Sequence, residues 1–167
     1  RPDPGIVYRG ILVSERFAAT KFGNSVFNNV SVKNPFTIIQ KPVLYKPKRM
    51  TLSSWSYDPK LAISFSSPLS YAGSGTKKFE NFVSLIYQAN VPSGGAFIFD
   101  HKEIPIMKGI GEKEVVSVGD IMCDQVVVVP FRRLEKVMLG KDIEDNIYYH
   151  RIQALELVTK ELLKKLK

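Results

Sequence analysis

Leu52-Ser53-Ser54-Trp55-Ser56-Tyr57-Asp58-Pro59-Lys60-Leu61-Ala62-Ile63-Ser64-Phe65 changes character half-way along. Met50 to Ser56 reads as a strand that ends in serines. The two-residue period of a strand puts the hydroxyls of Ser54 and Ser56 on one face. Asp58-Pro59 then reads as a helix start. An Asp side chain accepts bonds from the free N–H groups of a first turn, and proline suits the first helical position. The helix would carry Leu61, Ala62 and Phe65 toward the core. A strand running into a capped helix, among other segments that are mostly strand-like, predicts a β-rich α+β fold with flanking helices.

Outward from that stretch, Ile6 to Val13 is a strand by its β-branched and apolar content. Phe22 to Asn34 is rich in Asn, Ser and Gly and reads as loop with short strand pieces. Phe36 to Gln40 reads as strand, and Lys41 to Arg49 as extended or loop because its prolines discourage helix. On the far side, Ser66 to Gly75 is loop by composition, and Phe82 to Ala89 and Gly95 to Phe99 are strands. Ile104 to Gly111 is a loop with two glycines. Glu112 to Val118 is a strand, Gly119-Asp120 a turn, and Asp124 to Pro130 a further strand. From Glu144 onward, Tyr148, Ile152, Leu155, Val158, Leu162 and Leu166 recur at helical spacing, which predicts a C-terminal amphipathic helix packed on the sheet or on a missing neighbour rather than on a membrane.

A chain of 167 residues fits one domain, residues 1–167, with enough length to build a real core. Its start, Arg1-Pro2-Asp3-Pro4-Gly5, reads as a linker, which carries the expectation of a piece cut from a longer protein. No apolar run approaches the ~20 residues of a membrane span. The formal charge of +8 suits an anionic partner: a nucleotide, a nucleic acid or an acidic protein surface. The lone cysteine, Cys123, excludes an internal disulfide framework and reads as a small buried hydrophobe. His101 and His150 have no neighbours at ligand spacing, so no metal site is expected.

Three short segments carry candidate chemistry. In Val7-Tyr8-Arg9-Gly10, an arginine inside an apolar strand needs a partner for its charge. Its guanidinium can fork onto phosphate or carboxylate oxygens, and Gly10 would let a ligand approach the backbone. The alternative is a rim arginine paired with a carboxylate. In the second segment, Ser54 and Ser56 could orient polar neighbours, or could belong to a plain strand-to-helix turn. In Gly109-Ile110-Gly111-Glu112-Lys113-Glu114, two carboxylates two apart on a strand face the same way, with Cα atoms ~6.5–7 Å apart. Such like charges disfavour each other unless a cation lies beside them. A solvated strand face is the alternative.

The order of these segments resembles the mono-ADP-ribosyltransferases of the arginine–serine–glutamate class, and most of all the phage enzymes and bacterial toxin domains. The resemblance spans roughly residues 6 to 130 and rests on strand Tyr-Arg-Gly, Ser-x-Ser before a capped helix ending in Phe65, and Glu-x-Glu-Val after a loop. It implies a fold of two packed, mainly antiparallel sheets and NAD as co-substrate, without a metal. It implies that Arg9 contacts NAD phosphate and ribose, that Gly10 offers backbone bonds to the nicotinamide amide, and that Ser54 positions the catalytic glutamate. Ser56 and Phe65 would complete the nicotinamide side. Glu114 would be the catalytic carboxylate and Glu112 the one facing the acceptor, where Glu goes with arginine as acceptor. A protein arginine on an acidic surface is therefore the implied target, in the cytosol of a host or victim cell, as for an injected toxin, effector or phage protein.

Two departures from the family pattern stand out. Ser54-Trp55-Ser56 replaces the usual Ser-Thr-Ser, and Ser53 precedes it, so the motif could be read one residue earlier. Arg9 and Ser54 are 45 positions apart, which places an insertion within Phe17 to Lys48. Two rivals remain at this point: an NAD glycohydrolase with water as acceptor, and a basic module that binds nucleic acid without catalysis. Nucleic acid as the acceptor of the same transfer is also open.

Overall fold

A computed structural model describes residues 3–28, 30–47, 52–67, 82–92, 96–100, 114–139 and 147–166. The elements in chain order are β1 (Gly5–Ser14), α1 (Glu15–Phe22), a 3-10 turn (Asn24–Phe27), β2 (Thr37–Ile39), β3 (Val43–Tyr45) and β4 (Leu52–Ser56). There follow α2 (Pro59–Ser66), β5 (Phe82–Val91), β6 (Phe97–Asp100), β7 (Glu114–Val118), β8 (Ile121–Cys123), β9 (Gln125–Val129), α3 (Phe131–Leu139) and α4 (Ile147–Lys165). Seven strands form one sheet in the order β2-β9-β5-β1-β4-β7-β6, and β3 and β8 form a small second sheet. Every described pairing is antiparallel. The architecture is mixed α+β, with a helix at the C-terminal end.

Strand periodicity explains the layering. Val7, Leu85, Tyr87, Val126 and Val128 point to one face of the large sheet, where they meet Tyr45, Ile121 and Cys123 of the small sheet and Ala18 of α1. Tyr8, Ile86, Val127 and Val129 point to the other face, against Ala62 and Ile63 of α2, Leu134 of α3, and Ala154, Val158 and Leu162 of α4. The run Val126 to Val129 is buried on both faces, which is why it is continuously apolar rather than alternating. Of the α4 stripe read from the sequence, Val158 and Leu162 are fully buried and Leu155 and Leu166 pack beside them, while the third fully buried position is Ala154, which the reading left out; the side chain of Tyr148 lies outside the described residues. Among the described residues, no helix is long and apolar enough to cross a membrane.

The helix start at Asp58-Pro59 is as expected: the Asp58 carboxylate accepts from the Lys60 N–H at 3.0 Å. Gly119 takes φ +69° in the turn between β7 and β8, a conformation that favours glycine. Two helices fall in segments to which no element was assigned above, and one side chain needs correction. The segment ahead of Phe22 is helical: the Ser14 hydroxyl accepts from the Phe17 N–H at 3.0 Å, and Gly23 closes the helix at φ +88°. Pro130 ends β9 but is followed at once by α3, with Phe131 and Leu134 buried. Phe65 is not a core residue. The buried stripe of α2 is Ala62, Ile63 and Ser66, and Phe65 falls off it, 55% exposed. The loop readings at residues 68–75 and 104–111, and Glu112 and His101, lie outside the described residues.

Candidate active site

β1 treats its two neighbours differently. It pairs with β5 along its whole length, from Gly5 opposite Val91 to Ser14 opposite Phe82. With β4 it is in register at one pair, Tyr8 opposite Ser56. Beyond that pair the two strands separate, while β4 stays bound to β7 from Leu52 opposite Val118 to Ser56 opposite Glu114. The large sheet is therefore split beside Arg9. A cleft of about 540 Å³ occupies the split, lined by Tyr8, Arg9, Gly10, Ser54, Ser56, Phe65 and Glu114 with neighbouring apolar groups.

Of the residues that the sequence singled out, the split brings together Arg9, Gly10, Ser54, Ser56, Phe65 and Glu114; Glu112 lies outside the described residues. Arg9 is half-buried, its Nε donating to the Tyr45 hydroxyl at 2.7 Å and its Nη1 to the Ser54 carbonyl at 2.8 Å. Both partners are neutral, and among the described residues no carboxylate pairs with this guanidinium. The reading as a rim arginine held by an acid is thereby set aside for the described residues. Glu114 opens β7 and is 7% exposed, directly across from Ser56. A carboxylate and a guanidinium thus line one pocket from strands on opposite sides of the split.

The serines divide by face. Ser53 is buried beneath the sheet, its hydroxyl 2.7 Å from that of Ser117 and accepting from the Trp55 indole N–H at 3.0 Å. Ser54 is exposed and lines the cleft, so the strand register places Ser54 there and Ser53 in the core. Ser56 shares the cleft, but its hydroxyl accepts from the Asp58 N–H at 3.0 Å and so also closes the turn into α2. Phe65, exposed on α2, contributes the aromatic wall.

Gly10 has a structural reason of its own. A Cβ at this position would lie 1.8 Å from the Ala62 carbonyl oxygen and 2.9 Å from Ser66 Cβ. The glycine admits the backbone of α2 against β1.

A second cleft of about 850 Å³ adjoins the first through Arg9, Ile11 and Leu12. It is walled by Phe17, Thr20 and Lys21 of α1, by Leu44, Tyr45, Lys46 and Pro47, and by Tyr87. The Lys21 ammonium donates to the Leu44 carbonyl at 3.1 Å and the Tyr87 hydroxyl at 3.3 Å, and lies near the rings of Phe17, Phe22 and Tyr87. Burial is the main cause that pulls its pKa below the usual lysine range. Burial likewise raises the phenols of Tyr8 and Tyr87.

The chain matches no protein-family model, no curated protein and no solved structure. The site's chemistry therefore rests on its own geometry. Sequence reasoning missed Tyr45, Lys21 and Tyr87, which hold or extend the Arg9 wall. The one available signal was Tyr45 itself, an aromatic residue inside the basic stretch Lys41 to Arg49. Cys123 is buried and free, and burial, with Asp124 adding to it, pushes its thiol up to about 12. A thiol held protonated in this way is a poor nucleophile.

Proposed function

We propose that this chain is a mono-ADP-ribosyltransferase: it cleaves NAD at the nicotinamide–ribose bond and transfers ADP-ribose to an arginine of a protein. One observation carries the reading. Arg9, Ser54 and Glu114, from three strands far apart in sequence, line a single cleft where the sheet divides. The ADP-ribosyltransferase fold, with its antiparallel sheets opening around the dinucleotide, is part of the same proposal.

The residues fit such a substrate. Two adjoining clefts share the Arg9 wall, so a long ligand could lie across it with its pyrophosphate on the guanidinium. Of the five N–H donors of Arg9, two are used by Tyr45 and Ser54 among the described residues, and three remain for phosphate oxygens. Lys21 and Lys46 add positive charge on the second side. Phe65 and Glu114 belong to the first side, where an aromatic amide and a ribose would sit.

The chemistry follows from charge. The bond from ribose carbon to nicotinamide nitrogen breaks, and its electron pair leaves with nicotinamide, which becomes neutral. Positive charge then develops on the sugar. The buried Glu114 carboxylate stabilises that charge as it forms, which lowers the barrier rather than only tightening binding. A guanidinium nitrogen of the acceptor closes the new bond and gives up a proton. An arginine is a poor nucleophile while fully protonated, and Glu112 is assigned the role of sharing that proton. The acceptor surface is acidic, to suit the chain's +8 charge, and the setting is the NAD-containing cytosol of a host or victim cell, as for a toxin, effector or phage protein.

The test is incubation with labelled NAD and a cell lysate, followed by mass spectrometry of the labelled species. ADP-ribose on protein arginine is the expected result. Label found only as free ADP-ribose would replace the transferase reading with a glycohydrolase. Label on nucleic acid would change the acceptor, and no consumption of NAD would end the enzyme reading.

A further inference from the structure

Two hydrogen bonds fix the Arg9 guanidinium, and one comes from outside the three motifs. We infer that Tyr45 is a positioning residue: its hydroxyl holds Arg9 in the orientation that receives the dinucleotide phosphates. The inference rests on the transferase reading above and adds to it a residue from the long stretch between Arg9 and Ser54.

The phenol oxygen accepts from Arg9 Nε at 2.7 Å, at the short end of the range for such a bond, as expected when the donor is charged. The ring that carries it has little freedom. It is 6% exposed and packs edge-on against Trp55 at 5.6 Å and against Tyr87 at 5.0 Å between centroids. Trp55 is itself anchored by its indole N–H to the hydroxyls of Ser53 and Ser117. The backbone of Tyr45 is held opposite Ile121 in the small sheet.

The consequence is preorganisation. A free arginine side chain samples many rotamers, and ordering it on binding weakens affinity. Here Nε is held by Tyr45 and Nη1 by Ser54, from β3 and β4, the two ends of one connection. The Nη2 hydrogens and one on Nη1 are left, among the described residues, for a paired grip on phosphate oxygens. The insertion expected between Arg9 and Ser54 therefore supplies one of the two bonds that aim the arginine.

The test is a double-mutant cycle read by calorimetric NAD binding and by steady-state kinetics, on the wild type, Tyr45→Phe, Arg9→Lys and the double variant. Tyr45→Phe keeps the ring and should weaken NAD binding about 10-fold, with KM rising and kcat nearly unchanged. In the Arg9→Lys background, which lacks Nε–H, the same change should have no further effect. If Tyr45→Phe binds NAD like the wild type, or loses the same factor in both backgrounds, the inference is wrong. A wild-type protein that binds no NAD overturns both the transferase reading and this inference, whereas the preceding results overturn this one alone. Should Tyr45→Phe fail to fold, the Arg9 Nε–H signal of the wild-type protein decides by nuclear magnetic resonance. A proton protected from exchange supports the bond, and a freely exchanging one refutes it.

Discussion

β1 has one flank zipped to β5 over ten residues and another that touches β4 at a single pair before parting. Both flanks belong to one strand of nearly uniform apolar character, so the difference is not written in the strand itself. On the β5 flank, backbone pairing and the packing of Val7, Leu85 and Tyr87 are continuous. On the β4 flank, a guanidinium reaches across to a carbonyl in place of a ladder bond. A sheet can thus be continuous along one seam and open into a cleft along the next, provided the open seam is tied back by side chains.

That contrast can be broken in either direction. The largest effect is expected at the open seam: Glu114→Gln should slow nicotinamide release by about 10²–10³-fold while the melting temperature stays near that of the wild type. Full activity in a folded Glu114→Gln protein would remove the carboxylate from the mechanism. On the closed seam, Leu85→Ala should lower stability by about 2–5 kcal/mol in chemical denaturation, because Leu85 is fully buried. Its activity per folded molecule should be unchanged; a selective loss of NAD turnover would mean the two seams are coupled.

Adjacent serines sharpen the comparison at smaller scale. Ser53→Ala removes a buried hydroxyl from a bonded group with Ser117 and Trp55, and should lower stability by about 1–3 kcal/mol. Ser54→Ala should stay within about 0.5 kcal/mol of wild-type stability, as an exposed position, yet slow NAD cleavage. The reverse pattern would shift the motif by one residue. The last effect, confined to alkaline pH, concerns Cys123. The unfolded thiol loses its proton near pH 8.5, whereas the folded one keeps it up to about 12. The folded state then binds more protons in that window, so stability should fall as pH rises through it. Cys123→Ala should flatten this slope in urea midpoints measured between pH 8 and 10.

What could be read beforehand divides along similar lines. β1, β5 and β9 were legible because their apolar runs are long, and β4 and α2 because a serine-ended strand runs into Asp58-Pro59, which marks a helix start in local chemistry. α1 was passed over although Ser14 and Gly23 bracket it, because its apolar content is slight and gives no clear helical stripe. β3 was read as extended or loop because Pro42 and Pro47 flank it; they bracket the three-residue strand without interrupting it. That Arg9, Ser54 and Glu114 share one cleft was legible from the order of their segments in the chain. Tyr45 was not, because its role exists only after the small sheet has folded over the large one. Phe65 was placed on the right element and beside the serines, where it lines the cleft, but its reading as a core residue failed, since one position of helix phase separates core from rim.

The close approach at Gly10 has a consequence for evolution and design. With the Ala62 carbonyl where a methyl group would otherwise go, strand and helix meet main chain to main chain, and their spacing is set by incompressible atoms. Phe65 is carried by that helix, so the width of the cleft mouth is gauged by a residue without a side chain. Any larger residue at this point would act as a shim, widening the entrance even if every other group that lines the cleft were left intact.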